Sequence, residues 1–498
     1  MEENLNWLVR ELHALAGELA GEQAPAPVLL AIDQGGHASR VIAFDTRGMH
    51  LAESFTPIST FRSGNDRVEH DPRELTESIR TALDDIAETL GSDASRVAAV
   101  GLATQRSSIV CWDRRSGKAL SPVLSWQDRR NAPLVERLAS HKEAIRERTG
   151  LVLSPHYGAS KLRWCLDELP AVRKAREDRR LALGPLASYL LYSLLEERPY
   201  CVDPANASRT QLWDPQTRNW APQLGEWFGV ALELLPACVH TRHSYGHLEF
   251  AGRCVPLIVC TGDQSAAPFA SGAIDSDTIY LNVGTGAFLQ QSGGCGDPRL
   301  LRSVAYSDEE RTIAMQEATI NGAAAALDWL NERVGIDTHR AALALARAKA
   351  ARSVPLFVNA VGGIAAPYWR ADIEPRFVGE GTEAQQVQAV VESIAFLICA
   401  NIELMRAGTS PHRVLATGGL SSSDYLCECI ASLSGLPVER SSLKEATALG
   451  IAYLVVGHGA EWRPPVTFET FPPAADASLA ERYRRWREAM DAAVGAGA

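Results

Sequence analysis

The sequence predicts an α/β protein of two domains, and three observations lead there. Its 498 residues exceed the roughly 250–300 at which a single hydrophobic core gives way to several. Two apolar runs of strand type, "VLLAID" and "VPLIVCTGD", lie in opposite halves, and each ends on a carboxylate, Asp33 and Asp263. Glycine-bearing hairpin patterns accompany both, and long segments of helical period follow.

The elements can be justified in order. The leader "MEENLNWLVRELHALAGELAGEQAPAP" has acidic residues where a signal peptide has basic ones. Its Leu5, Leu8, Leu12, Leu15 and Leu19 recur at helical spacing, which predicts an amphipathic helix on an "APAP" linker. From Val28, "VLLAID", "RVIAFDT" and "MHLAESF" read as an antiparallel meander whose first turn is "QGGHAS". Asp71 and Pro72 suit the N-cap and first position of a helix over "PRELTESIRTALDDIAETL". The buried strand "VAAVGLAT" comes next.

In the second half "TIYLNVGTGAFLQQSGG" reads as two strands joined by "GTG". "AAAALDWLNERV" and "EAQQVQAVVESIAFLICANIELMRAG" are helical, and "HRVLATGGLSSSDYLCECIASLSG" is strand, glycine turn and helix. The change of domain is expected around residues 245–257. This gives a helical extension at 1–27, an N-terminal domain at 28–256 and a C-terminal domain at 257–498. "APYW" (Ala366 to Trp369) reads as a structural turn and the closing "RYRRW" as a packed amphipathic helix.

Composition narrows the function. A net charge of −11 argues against a dedicated nucleic-acid binder and against binding to acidic membranes. It leaves room for an anionic substrate held by a few local arginines. Ten cysteines without paired spacing suit a reducing, cytoplasmic setting, and no uninterrupted apolar segment is long enough to span a bilayer. Tight hairpin turns leave backbone N–H groups unpaired, and glycine lets a bulky anion approach them. One such turn in each half, with Asp33 and Asp263 at nearby strand ends, points to a polyphosphate. Ordinary hairpin chemistry remains the alternative for either turn alone.

The motifs "DQGGHASR", "VEHDP", "TQRSS", "WQDRR", "NASRT", "GDQ", "GTGAF", "APYW", "TGG" and "EATALGIAY" occur in an order that resembles the FGGY carbohydrate kinases, most of all their glycerol-phosphorylating branch. The resemblance runs from Val28 to the final "RYRRWREAM". It implies two actin-like (ribonuclease H-like) domains with a catalytic cleft between them, ATP and Mg2+ as cofactors, and a small polyol or sugar as substrate. It also implies a homodimer or homotetramer.

Carried over by matching position, Asp263 is the general base and Asp33, with Asp263, serves the metal. Gly35, Gly36, His37 and Arg40 face the terminal phosphates. Gly284 and Thr285 match the second phosphate loop, with Asp328, Gly419 and Ser423 on the adenosine side. Arg106, Ser107, Trp126, His156 and Gln264 fall on the acceptor wall. Phosphoryl transfer needs positioning and charge neutralisation more than covalent help, which such residues supply.

Departures from the pattern are specific. The branch's Thr-Thr-Ser is Gly36, His37 and Ala38 here, so hydroxyls are lost while backbone donors stay. His37 either replaces one by bonding a phosphate oxygen or is a solvent-facing loop histidine. A glutamate that grips acceptor hydroxyls is replaced by Ser107, a tyrosine by His156, an adenine-side glutamine by Asp328 and a glycine by Ala324. Ser107 in place of that glutamate favours an acceptor larger than glycerol, such as a four- or five-carbon polyol or a ketose. A non-enzymatic nucleotide switch and a catalytically silent sugar sensor share the fold. Asp263–Gln264 together with Gln105–Arg106 argues against the switch, which needs no base for an acceptor hydroxyl.

Overall fold

The computed structural model describes residues 26–293, 297–346, 351, 353–457 and 461–495. The leader helix expected from Leu5 to Leu19 lies outside the described residues. The chain divides into two compact units, and the division is not a single cut. The first unit takes the described residues up to Ala273, then Ser303–Ala314 and Glu445–Pro465. The second takes Ile274–Arg302, Met315–Lys444 and the described residues from Val466 onward.

The first unit is built on a six-stranded mixed sheet. Its order is His50–Pro57, Ala38–Asp45, Val28–Gln34, Val97–Thr104, Arg253–Gly262 and Arg242–Phe250. The first three strands form the expected antiparallel meander, and Val28–Gln34 then pairs parallel with Val97–Thr104. That strand in turn pairs parallel with Arg253–Gly262. Leu30 and Ile32 pack with Leu75, Ile79 and Ile86 of the Pro72–Leu90 helix on one face. The helix Ala446–Val456 lies against Val28–Gln34 and Val97–Thr104 as well. Helices on both faces explain why "VLLAI" is apolar without alternation. Asp71 caps the Pro72–Leu90 helix as its sequence requires, its side chain accepting from Arg73 N–H.

A smaller five-stranded sheet in the same unit runs in the order Phe61–Ser63, Arg67–His70, Val123–Leu124, Ile109–Asp113 and Leu181–Pro185. It fixes the loops bearing Ser107 and Trp126.

The sequence places the domain change at 256/257, and the structure corrects this. "SYGHLEFAGRCVP" is a hairpin inside the first unit: Arg242–Phe250 pairs antiparallel with Arg253–Gly262 across a turn at Ala251 and Gly252. The following strand finishes the first sheet, so Asp263 belongs to the first unit together with Asp33.

The second unit repeats the same sheet plan. Thr312–Ile320, Ala287–Ser292 and Thr278–Val283 are antiparallel neighbours, and Arg413–Thr417 and Val438–Ser441 continue in parallel. Phe468–Phe471 closes the edge antiparallel. These six match the first sheet in position and sense, and Leu301–Ser307 adds a seventh strand beyond Thr312–Ile320. The buried helix Glu383–Met405 is held at its start by a capping box of Thr382 and Gln385. By length and composition it could cross a bilayer, although 89% of its apolar window is buried inside the protein. The closing helix Ala477–Gly495 buries Trp486 and Met490, and its Arg482 forks onto the buried Glu392 with two bonds of 2.8 Å.

Candidate active site

Three neighbouring parallel strands of the first unit end in register, Gln34 beside Thr104 and Thr104 beside Gly262. Open α/β sheets place their ligands at such carboxyl ends. Here these ends carry Asp33, then Gln105 and Arg106, then Asp263. Gly262 has an ordinary φ of −87°, so its lack of a side chain serves space and not conformation. A Cβ there would lie 2.4 Å from Cγ of Arg106 and 2.5 Å from Cδ. Arg106 therefore lies across the glycine, with its Nε 3.9 Å from Oδ1 of Asp263. Asp263 opens the short helix Asp263–Ala266, and the N–H of Gln264 donates to its Oδ1 at 2.7 Å.

Asp33 is half-buried, and its Oδ1 is sealed from solvent without a hydrogen-bond partner. Burial, reinforced by the negative charge of Asp263, pushes its carboxyl up to about 7, against the pull of Arg40. Arg40 stands opposite Asp33 in the sheet register. Its guanidinium pairs with Glu445 and sits over the Phe55 ring at 5.2 Å.

A hydrogen-bond relay joins this centre to the expected acceptor wall. The N–H of Trp126 donates to Ser108 Oγ at 2.9 Å, and Ser108 Oγ donates to Gln105 Oε1 at 2.9 Å. Gln105 Nε2 then reaches the carbonyl of Gly35 at 3.1 Å. The rings of Trp126 and His156 meet edge to face at 5.6 Å. Burial and the charges of Lys161, Arg209, Arg129 and Arg106 hold the His156 imidazole well below its usual range, so it is neutral at pH 7. Ser107 takes a left-handed φ of 66°, and its hydroxyl is buried without a partner.

The glycines of the first hairpin are not in left-handed conformations. The turn is closed by Gly35 N–H donating to the carbonyl of Ala38 at 3.0 Å. His37 is exposed, and its carbonyl accepts from Ile58 N–H at 3.0 Å.

In the second unit Gly284, exposed Thr285 and Gly286 form the turn between Thr278–Val283 and Ala287–Ser292. The carbonyls of Gly284 and Thr285 accept from N–H groups of Ala323, Ala324 and Ala325, which seats the turn on the start of the helix Ala324–Asn331. Gly418, with φ 90°, must be glycine: a Cβ would lie 2.6 Å from the Val283 carbonyl oxygen. The next residue, Gly419, is exposed and meets nothing within 4 Å. Ser423 is fully buried, and its Oγ caps the helix Asp424–Ser434 and donates to the Ala342 carbonyl at 3.1 Å. Asp328 is exposed and bonds His339 at 2.7 Å. The residues expected on the acceptor side and as base thus fall in the first unit, while Gly284, Thr285, Asp328, Gly419 and Ser423 fall in the second.

Among the described residues no group of three or more His, Cys, Asp or Glu side chains could hold a metal ion. A pair of carboxylates suits Mg2+, which takes oxygen ligands and keeps several waters. The bare Oδ1 of Asp33 and the mutual repulsion of Asp33 and Asp263 fit such a cation.

Sequence reasoning missed two charged groups here. Glu445, inside the "KEATALG" motif, pairs with Arg40. Lys161 is fully buried and donates to three carbonyls, of Ser107 at 3.0 Å, Ser125 at 2.8 Å and His156 at 2.6 Å. No local signal marks a lysine of that kind.

Known proteins resemble this chain in sequence and in fold. The N-terminal domain of the FGGY family of carbohydrate kinases matches residues 28–270, and its C-terminal domain matches residues 279–456. A glycerol kinase of Methylobacterium nodulans is 34% identical over 497 residues, covering 94% of this chain and 98% of that one. In structure, Plasmodium falciparum glycerol kinase with ADP superposes with a TM-score of 0.83 at 20% identity, over 95% of this chain and 99% of that one. A xylulose kinase from Rhodospirillum rubrum gives 0.81 at 19% identity, over 94% and 98%.

Proposed function

We propose a function from one premise: the chain belongs to the FGGY family of carbohydrate kinases and is a kinase. Its reaction is ATP-dependent phosphorylation of a hydroxyl on a small polyol or sugar. The observation that carries this reading is the convergence of Asp33, Arg106 and Asp263 on adjoining strand ends, with Arg106 laid over Gly262 toward Asp263.

In this reading Asp263 accepts the proton of the attacking hydroxyl. A carboxylate within hydrogen-bond reach suffices, because proton loss runs late in a loose transition state. Arg106 orients the acceptor and steadies the charge of Asp263. Trp126 and neutral His156 form the wall beside it, and Gln264 supports Asp263 through its backbone N–H. Asp33 and Asp263 would hold Mg2+, which neutralises phosphate charge and screens the two carboxylates from each other. Gly35, Gly36, His37 and Arg40 serve the phosphates from the first unit. In the second unit Gly284 and Thr285 serve the phosphates, and Asp328 and Gly419 serve the adenosine. Ser423 anchors the Gly419 turn through its buried cap.

The acceptor is larger than glycerol. Support comes from Ser107, whose hydroxyl is buried where related kinases of the glycerol branch have a carboxylate. Hydrogen bonds to charged groups contribute about 1.5–3 kcal/mol, so glycerol loses roughly 10- to 150-fold in affinity without one. The test is ADP release measured against glycerol, four- and five-carbon polyols, ketopentoses and aldonates. A ketopentose or longer polyol should lead in kcat/KM. Glycerol ahead of every longer acceptor by tenfold overturns the acceptor assignment, and no ADP release with any acceptor overturns the activity.

A further inference from the structure

We propose that Lys161 is the positioning residue of the acceptor wall, its single ammonium holding the three wall loops at one point. The inference rests on the acceptor site proposed above. An ammonium has three N–H donors and no acceptor, and Lys161 uses them on three carbonyls, 3.0, 2.8 and 2.6 Å away. The three carbonyls belong to separate stretches of chain. Ser107 directly follows Arg106, Ser125 directly precedes Trp126, and His156 is itself a wall residue.

The helix Gly158–Glu168 carries Lys161, which is fully buried. Asp128, whose negative charge acts on Lys161, is held by the Nε and Nη2 of Arg130, which also pairs with Glu69. The ammonium bonds three backbone oxygens. Burial pushes the lysine down to about 7 against the pull of Asp128, so the ammonium is costly to bury, while an apolar replacement would leave three buried carbonyls without a donor. What the ammonium adds is a common anchor for three otherwise separate loops. Ser107 shows the effect. Its left-handed φ of 66° is a strained state for a non-glycine residue. It is fixed from its carbonyl by Lys161 and from the next carbonyl, that of Ser108, by the Leu186 N–H at 2.8 Å.

The test compares the full-length wild type with Lys161→Met, which keeps length and removes charge and donors. Glycerol and xylulose serve as acceptors, and MgADP reports on the nucleotide side. Release of three loops should raise the KM of the better acceptor at least 30-fold, with kcat falling less, while the Kd of MgADP stays within twofold and melting stays cooperative. An acceptor KM within threefold of wild type overturns the proposal. So does a parallel loss of acceptor and nucleotide binding, which marks a general structural role. Wild type that turns over neither acceptor overturns the acceptor reading, and this inference with it. If Lys161→Met does not fold, hydrogen exchange of the wild type decides. Segments 104–110, 122–128 and 153–160 should gain protection together at one acceptor midpoint. Separate midpoints, or protection of one segment alone, overturn the proposal.

Discussion

At the scale of single residues the roles proposed for the two aspartates differ, and their variants should differ in kind. Asp263→Asn keeps shape and removes the proton acceptor. Turnover should fall by about 10²- to 10⁴-fold with MgADP affinity retained, as steady-state kinetics and calorimetry would show. Asp33 differs because its carboxyl is held near 7, against about 3.9 in an unfolded chain. Between those values the folded protein keeps a proton that the unfolded chain has released. Stability without metal therefore falls as pH rises from about 4 to about 7. Asp33→Asn has no such proton to lose. It should melt higher than wild type at pH 8, by about 1–3 kcal/mol for relief of one poorly satisfied buried group, and the gap should close towards pH 4. Mg2+ should raise the midpoint of the wild type at pH 8 and leave that of the variant nearly unchanged. A variant that melts lower than wild type at pH 8 would make Asp33 a structural residue.

At the scale of elements, the end of the Arg253–Gly262 strand joins fold to chemistry. Gly262→Ala suits the local backbone, so the fold should tolerate it. The new methyl would collide with the Arg106 stem and turn the guanidinium away. Misplacement of about 1 Å costs roughly 10²-fold, so kcat/KM for the acceptor should drop by that order while the melting midpoint moves little. An unchanged kcat/KM would mean that Arg106 has room to spare. The strands themselves were legible: "VLLAID", "VAAVGLAT" and "VPLIVCTGD" announce burial on both faces by unbroken apolar runs, and Asp71–Pro72 announces a helix start. The partner of "VPLIVCTGD" was not legible, because parallel pairing with Val97–Thr104 is settled more than 150 residues away in sequence. Hence the domain line drawn at 256/257 failed. Lys161 escaped notice for the same reason. Its identity in the sequence says surface, and two of the three carbonyls that hold it inside lie 54 and 36 residues away.

At the scale of the whole molecule, each unit is assembled from separated lengths of chain. The helix Ala446–Val456 reaches the first unit's sheet after the second unit has taken most of its own residues. Ile451 fits so closely over Gly101 that a Cβ on the glycine would lie 2.4 Å from its Cγ2. A chain ending at Lys444 leaves that sheet face bare. It should bind hydrophobic dyes and lack a cooperative melt for the first unit, whereas a chain ending at Pro465 should retain one. Equal melting of the two would show that the helix is dispensable.

The interleaving has a consequence during synthesis. A ribosome that has released residue 273 has made every strand of the six-stranded sheet, including the one that ends at Asp263, but not the helix that covers one face of it. About 170 residues follow, nearly all of them in the other unit, before that cover emerges. At the usual 5–20 residues per second, the nascent sheet waits roughly ten to thirty seconds with apolar surface uncovered. Asp33 and Asp263 thus stand on strands already made, while the sheet that carries them still waits for the helix that covers one face.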